Sequence, residues 1–372
     1  MKRRDINVEL LRIIGCLIIV GVHTCLYQIV DDRADIGRTF ISCLLADGVA
    51  IFWMITGFFL FSNKSYIKVL KHALRHIGIP VISLSIVVFY FGDWIMWGQE
   101  SLTESLYHPI SDYKEVIRSI LSWSNAIDGL GHLWYLYVYL MVMAAFPVLK
   151  AFVDYLGQDS KREVYFVIIT LGFFVINDIT GNRLASFSHH SINGAVPASI
   201  EIIWGHIIYK HRDIFKNKKY LFGSIAIFLI LNILRTGIQV NNFSLDFSDK
   251  HILYWYTSIG ILCAVCVIAF CFSFDINSIG IRNIIARISS CTFLIYLLHP
   301  LVKNTLSRFD IQNQISAAVV RGSFISECLY TIIMILLLFM ISLFIAAILK
   351  LIKYLWLRID HYKDAKVASQ KY

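Results

Sequence analysis

Charged residues are scarce in this chain, and their scarcity excludes an ordinary soluble protein. Asp, Glu, Lys and Arg make up 16% of the 372 residues, whereas soluble domains carry roughly 25%. Only five prolines interrupt the sequence, and hydrophobic residues account for 58% of it. Long apolar runs separated by short polar gaps therefore predict an all-α, polytopic integral membrane protein.

The chain also lacks the cysteine patterns of a disulfide framework or a zinc site. Its eight cysteines lie mostly inside hydrophobic segments, where a thiol behaves as a small apolar residue. Cys263 and Cys266 have the spacing of a redox pair, but neither a histidine nor a second pair accompanies them. We therefore expect these cysteines to pack in the core, and we expect no bound metal.

Hydrophobic segments long enough to cross a membrane follow one another along the whole chain. The first has a basic start like that of a secretory signal, but it is too long and has no small-residue cleavage site, so we interpret it as uncleaved. Including this first segment, the sequence predicts about ten spans. They lie at 6–30, 39–62, 77–98, 132–152, 164–180, 192–209, 220–238, 251–273, 289–307 and 324–352.

Lysine and arginine are distributed unequally between the two sides of these spans. About two thirds of them fall in the alternate segments that begin with the N-terminus, which predicts that both termini are cytoplasmic. The chain then divides into a transmembrane domain over 1–352 and a basic cytoplasmic tail over 353–372. Because the net charge of +9 follows from this topology, no nucleic-acid partner is expected.

Two polar residues share one face of the first predicted span. Arg12 and His23 are eleven residues apart, and at about 100° per residue they point in nearly the same direction, about 16 Å apart along the axis. A charge at such depth costs about 3 kcal/mol or more unless it faces a bundle interior or a wet cavity. A snorkelling arginine or a carbonyl-bonded histidine would explain either residue alone. Together they form a polar stripe, which favours a functional site.

Further polar residues are predicted at heights similar to that of His23. Asp47 lies in the second span, His132 opens the fourth, and His299 lies in the ninth. The three histidines would converge near the outer leaflet, where Asp47 could orient an imidazole. The alternatives are an interfacial role for His132 and a helix-bend role for His299, which precedes a proline.

A basic cluster precedes the third span on the predicted cytoplasmic side. Lys71, His72, Arg75 and His76 lie in the stretch KVLKHALRHIGIP. Arginine forks pair with phosphate oxygens, so a basic cluster at the inner mouth of the polar stripe suits a polyanionic phosphate ligand. Ordinary positive-inside charge is the alternative.

Five short segments form an ordered set. They are R-x10-H from Arg12 to His23, IFWMITGFFLF at 51–61, HALRHIGIP at 72–80, GHLWYL at 131–136 and TFLIYLLHPLV at 292–302. In this order they resemble motifs of the acyltransferase-3 family of bacterial membrane proteins. Two positions depart from the family pattern, since Thr56 replaces the usual serine and His72 replaces the first arginine of an R-x-x-R element.

The resemblance implies a donor, an acceptor and a location. Members of that family reside among the lipids of the bacterial cytoplasmic (inner) membrane, take acyl groups from cytoplasmic acyl-CoA, and in many cases O-acetylate cell-surface glycans. The implied substrates are acetyl-CoA or another acyl-CoA and a cell-envelope polysaccharide or lipid-linked glycan. Arg75, with Lys71 or His72, would bind the CoA phosphates. Because some members carry an added extracytoplasmic domain, this chain is expected either to act alone, as a homo-oligomer, or with an extracytoplasmic partner protein.

The same resemblance supports a catalytic hypothesis. His23 would act as general base on the acceptor hydroxyl or as a transient acyl carrier, with Asp47, His132 and His299 beside it. Arg12 would bind a CoA phosphate or polarise the thioester carbonyl. The rival interpretations are a secondary transporter for a small amino acid or a lipid-linked sugar, and a non-catalytic subunit of envelope biosynthesis.

Overall fold

Helices make up nearly all of the described chain, as its composition predicts. The computed structural model describes residues 5–369 except 26–28, 31–32, 47, 64, 99–111, 122–126, 128, 181–193, 246–256 and 320–321. Within these residues, one antiparallel pair of two-residue strands is the only departure from helices and their connections. The all-α class is thereby confirmed.

The helices follow one another with short connections. Two π-helical turns, Leu74–Gly78 and Asp93–Trp97, extend neighbouring α-helices, and two 3₁₀ turns lie at Gly131–Leu133 and Arg212–Phe215. The elements are α1 (Ile6–Cys25), β1 (Ile29–Val30), β2 (Arg33–Ala34), α2 (Ile36–Leu44), α3 (Gly48–Leu60), α4 (Tyr66–Ala73), α5 (Ile79–Gly92), α6 (Tyr113–Leu121), α7 (Trp134–Ala144), α8 (Phe146–Leu156), α9 (Ser160–Ile179), α10 (Ala195–Lys210), α11 (Lys218–Leu245), α12 (Ser258–Phe272), α13 (Ile279–Ser289), α14 (Thr292–Arg308), α15 (Ile311–Ala318) and α16 (Phe324–Ser369).

The described helices support fewer membrane spans than the hydrophobic segments predict. Two helix pairs qualify as spans only when each is joined across a bend, of 69° between α7 and α8 and of 54° between α13 and α14. The described residues therefore contain five to seven candidate spans, while the predicted ten spans and the orientation of the termini stay predictions. The five unbent candidates are Ile6–His23, Ile36–Leu60, Tyr66–Met96, Lys218–Asn241 and Phe324–Leu355.

Helix boundaries differ from the predicted segments at two functionally relevant places. The basic stretch before the third predicted span is helical from Tyr66 and continues through a π-helical turn into α5. The predicted tail at 353–372 continues the last helix, because α16 runs without interruption to Ser369, although its candidate span is Phe324–Leu355. Both basic regions therefore extend membrane helices.

Helix α1 lies at the centre of the bundle. It packs against α2, α3, α12, α13, α14 and α16. Leu11 and Val20 on α1 are completely buried, so apolar side chains hold the helix in place on several sides. The polar residues of α1 consequently lie inside the bundle, which is the arrangement that a membrane interior requires of them.

Two glycines allow α3 and α10 to approach closely. A Cβ atom added to Gly57 would lie 1.8 Å from the carbonyl oxygen of Ile202, and one added to Gly205 would lie 2.1 Å from that of Met54. Small residues let the backbones of membrane helices meet in this way, where van der Waals contact drives association.

A buried ion pair joins α2 to α16. Arg38 Nε donates to Glu327 Oε2 at 2.5 Å, and the two residues are only 6% and 2% exposed. The Arg38 guanidinium also lies 4.7 Å from the ring centroid of Tyr330. Removing one partner of such a pair leaves a buried charge uncompensated, so this contact constrains how α2 and α16 pack.

We expect Gly57→Ala to destabilise the bundle by about 1 to 3 kcal/mol, because the new methyl group has no room against the α10 backbone. Thermal unfolding in detergent would measure this loss. Gly223→Ala is the matched control, since a Cβ there meets nothing within 4 Å. Equal unfolding temperatures for the two variants would contradict the close packing of α3 and α10.

Candidate active site

Three histidines from distant parts of the chain meet in one cluster. His23 comes from α1, His132 from the 3₁₀ turn before α7, and His299 from α14. The ring centroid of His23 lies 5.0 Å from that of His299 and 6.3 Å from that of His132, and the latter two are 5.4 Å apart. The structure thus brings together the three histidines that the sequence placed at similar heights.

Backbone geometry fixes the position of His299. In an α-helix the carbonyl of Tyr296 would accept from the amide of residue 300, but Pro300 has no N–H to donate. His299 Nδ1 instead donates to that carbonyl at 2.8 Å, and also approaches the carbonyl of Ile295 at 3.2 Å. Its Nε2 is buried and has no hydrogen-bond partner among the described residues. His299 therefore uses Nδ1 to satisfy the backbone at the proline, and its Nε2 is available to accept a proton or an acyl group.

Tyr296 fixes the position of His132. Its hydroxyl donates to the carbonyl oxygen of His132, which ties α14 to the 3₁₀ turn before α7. Only 5% of His132 is exposed, and Leu130 and Leu133 beside it are completely buried. His132 is therefore a core residue of the cluster and lacks the solvent exposure expected of an interfacial histidine.

A large cavity approaches the histidines from the opposite end of α1. Its volume is about 970 Å³, and Tyr296 forms part of its wall. The ring of Tyr296 also lies 5.4 Å from that of His132 and 6.1 Å from that of His299, centroid to centroid, so this side chain borders both the cavity and the cluster. Other lining residues are Glu9, Arg12, Ile19, Phe52, Thr56, Lys68, His72, His76, Leu136, Phe293 and Lys350.

Arg12 lies in the cavity and is paired with an acid. Its Nη1 donates to Glu9 Oε1 at 3.1 Å, and Glu9 Oε2 accepts from the hydroxyl of Ser289 at 2.5 Å. The side chain of Arg12 is 35% exposed, whereas that of Glu9 is 7% exposed. Sequence reasoning missed Glu9, although an acid three residues before an arginine on the same apolar helix was a signal for this pair.

The basic rim of the cavity differs in part from the predicted cluster. Lys68, His72 and His76 follow one another at four-residue intervals and line the cavity, as does Lys350 of α16. Lys350 Nζ donates to the carbonyl oxygen of Ser290. Lys68 could have been found from its helical spacing to His72, whereas the approach of Lys350 depends on packing between distant segments.

The other predicted site residues have different placements. Lys71 and Arg75 are exposed and are not among the residues that line the cavity, so their binding of a donor stays a prediction. Asp47 lies outside the described residues. Thr56, which departs from the expected serine, lines the cavity, and its hydroxyl donates to the carbonyl of Phe52 at 2.9 Å.

The arrangement combines two kinds of chemistry in one membrane domain. Imidazole nitrogens can accept a proton or carry an acyl group, and a cationic rim can bind an anionic ligand in the adjoining cavity. Among the described residues there is no group of three or more His, Cys, Asp or Glu side chains placed to hold a metal ion. Fold and site thus define a polytopic helical membrane protein with a buried cluster of three histidines near a cavity that has a basic rim.

Comparison with protein families agrees with this description. The model of the acyltransferase-3 family, described as an acyltransferase domain, matches residues 5–357. The chain therefore belongs to this family and is a membrane acyltransferase. Comparisons with curated proteins and with solved structures give no match.

Tyr296→Phe should keep the rings of the cluster packed but leave the carbonyl of His132 without its donor. An unsatisfied buried carbonyl costs about 1 to 3 kcal/mol, and the looser imidazole should lower the rate of acyl transfer. Thermal unfolding and transfer assays would measure the two effects. Tyr165→Phe, at an exposed position of α9, is the control and should behave like the wild-type protein. Wild-type stability and rate in Tyr296→Phe would refute this role.

Proposed function

We propose that this membrane acyltransferase moves an acetyl group from cytoplasmic acetyl-CoA to a hydroxyl of a cell-envelope polysaccharide or lipid-linked glycan in the bacterial cytoplasmic membrane. One observation carries the proposal. The cavity has a basic rim at one end, and at the other its wall residue Tyr296 contacts the histidine cluster. A polyanionic donor with a long arm and a reactive thioester matches a site with this distribution of charge.

The rim suits the nucleotide end of acyl-CoA. Lys68 and Lys350 supply two ammonium groups, and His72 and His76 supply imidazoles whose ring centroids lie 4.4 Å apart. Glu9 is the single carboxylate among the described lining residues, and it is already paired with Arg12. The net positive charge of the rim supports binding of the CoA phosphates there, with the thioester directed inward.

The histidine cluster suits the transfer step. As general base, an imidazole nitrogen of His23 would accept the proton of the acceptor hydroxyl while the hydroxyl oxygen forms a bond to the acyl carbon. The carbon–sulfur bond then breaks, and the CoA thiolate leaves and takes up a proton. As acyl carrier, His23 would first receive the acyl group and release the thiol, and the acceptor hydroxyl would attack afterwards. Rapid quenching and mass spectrometry of the first span distinguish the two routes.

The acceptor would approach from the extracytoplasmic side. The cluster lies toward the end of α1 that the distribution of Lys and Arg predicts to be outside, while the cavity rim lies toward its cytoplasmic start. Donor and acceptor would therefore reach the reacting atoms from opposite faces. A homo-oligomer or an extracytoplasmic partner protein is compatible with this arrangement. The family assignment favours acyl transfer over the rival transport and scaffold interpretations.

His23→Ala and Arg12→Ala should abolish acyl transfer while the protein still accumulates in the membrane. The first variant removes the base or carrier, and the second removes the guanidinium that the cavity holds at the start of α1. Vesicles supplied with labelled acetyl-CoA, followed by mass spectrometry of the glycans, would measure the transfer. Wild-type activity in either variant would refute the assignment of that residue.

Lys68→Ala and Lys350→Ala should each raise the KM for acyl-CoA about tenfold with little change in kcat, because each removes one charge-assisted contact worth about 1.5 to 3 kcal/mol. Lys71→Ala and Arg75→Ala are matched variants on the exposed surface beside the cavity. They should have smaller effects. If only these two raise the KM, the phosphates bind to the basic cluster predicted from the sequence and not to the cavity rim.

A further inference from the structure

The backbone of α14 fixes which ring nitrogen of His299 carries a hydrogen. Its Nδ1 lies 2.8 Å from the carbonyl oxygen of Tyr296 and 3.2 Å from that of Ile295, and a carbonyl oxygen can only accept. Nδ1 therefore carries the hydrogen, and Nε2 of the neutral ring holds a lone pair. His299 can accept a hydrogen bond at Nε2 but cannot donate one there.

This lone pair lies in the protein interior. His299 is completely buried, and its Nε2 has no hydrogen-bond partner among the described residues. An acyl group or a glycan hydroxyl would have to displace protein atoms to reach this nitrogen, whereas an N–H group of a neighbouring ring needs almost no room. Because a buried acceptor without a donor is costly, we infer that Nε2 serves a side chain of the protein itself.

The ring of His23 is the closest described ring to His299. Its centroid lies 5.0 Å from that of His299, compared with 5.4 Å for His132 and 6.1 Å for Tyr296, whose hydroxyl already donates to the carbonyl of His132. Two imidazoles joined by a hydrogen bond of about 2.9 Å have centroids about 5 Å apart, because each nitrogen lies about 1 Å from its ring centroid. A turn of the His23 ring in place is therefore enough to bring one of its nitrogens to Nε2.

We propose that His299 is a positioning residue for His23, whose ring N–H it accepts at Nε2. This role rests on the proposed function. A neutral imidazole has one N–H and one lone pair, so an N–H bound to His299 leaves the lone pair of His23 for the substrate. His23 is partly exposed, as a group that meets a substrate must be, whereas His299 is not. The contacts then run from the substrate to His23, to His299 and to the carbonyl of Tyr296, so that each group orients the one before it.

The arrangement serves both routes of transfer. As general base, His23 takes the hydroxyl proton at its free nitrogen, and its other N–H, now part of an imidazolium, stays bound to the lone pair of His299, which stabilises the charge. As acyl carrier, the free nitrogen of His23 forms a bond to the acyl carbon, the carbon–sulfur bond breaks, and the thiolate leaves and takes up a proton. Attack by the acceptor hydroxyl then breaks the carbon–nitrogen bond, the hydroxyl proton is released, and the neutral imidazole forms again.

Two substitutions in the full chain in vesicles separate the two nitrogens of His299. His299→Asn places an amide N–H near the position of Nδ1, so it keeps the donor to the carbonyl of Tyr296 and removes the acceptor. It should keep the unfolding temperature and lower kcat about 100-fold, the lower end of what a positioned acid or base contributes. His299→Gln places an amide oxygen near the position of Nε2 and loses the backbone donor. It should unfold at a lower temperature and yet keep a kcat about tenfold above that of His299→Asn.

A role confined to the helix bend predicts the reverse order. His299→Asn would then transfer acyl groups at the wild-type rate, and that result, or equal losses of kcat in the two variants, would show that His299 does not position His23. Thr305→Val is the matched control on the same helix, because it removes the hydrogen bond from the Thr305 hydroxyl to the carbonyl of Leu301. It should lower the unfolding temperature without a selective loss of kcat. If His299→Asn raises the KM for acyl-CoA and leaves kcat unchanged, the proposal is equally wrong.

A second measurement is independent of enzymatic activity. Nitrogen-15 NMR of protein labelled at its 12 histidines distinguishes protonated from unprotonated ring nitrogens, and the signals of His23 are those that His23→Ala lacks. The wild-type protein should contain His23 as a single tautomer. His299→Asn should mix its two tautomers, whereas His299→Gln and Thr305→Val should not. Unchanged His23 signals in His299→Asn, or a change confined to His132, would refute the contact. If the wild-type protein transfers no acyl group from acyl-CoA, the proposed function fails, whereas the spectra still decide whether His299 orients His23.

Discussion

Backbone polar groups inside the membrane need a partner within the protein, and the histidine cluster depends on this requirement. Pro300 leaves the carbonyl of Tyr296 without its helical donor, and His299 Nδ1 donates to it at 2.8 Å. The hydroxyl of Tyr296 in turn satisfies the carbonyl of His132. The imidazole of His299 thus acquires a fixed position because one proline interrupts a ladder of hydrogen bonds. The hydroxyl of Tyr296 holds the backbone of His132, and His23 packs against both rings from α1.

Close packing around α1 explains how this helix carries polar residues through the bundle. Helix α3 packs tightly on α1, since a Cβ atom added to Gly48 would lie 2.6 Å from the side chain of Ile19. Ile19 lies between Arg12 and His23 along α1 and also lines the cavity. The polar face is thereby covered by protein and by the cavity, and it avoids the cost of a charge facing lipid.

Among its described lining residues, the cavity holds both unpaired and paired cations. Net positive charge lies at the rim, and the guanidinium of Arg12, which lines the same cavity, is paired with Glu9. A paired guanidinium attracts bulk anions less but still presents oriented N–H groups.

The sequence by itself determined the all-α membrane class, the family and the shared face of Arg12 and His23, because composition, motifs and helical periodicity are local properties. Only the tertiary structure decided which helices bend and which side chains meet. The predicted span at 132–152 is broken into α7 and α8, and the rim uses Lys68 and Lys350, while Lys71 and Arg75 are exposed and do not line the cavity. Lys350 reaches Ser290, sixty residues before it, and Ser289 reaches Glu9 across most of the chain. Such contacts depend on how helices pack against one another, which the periodicity of each helix alone leaves open.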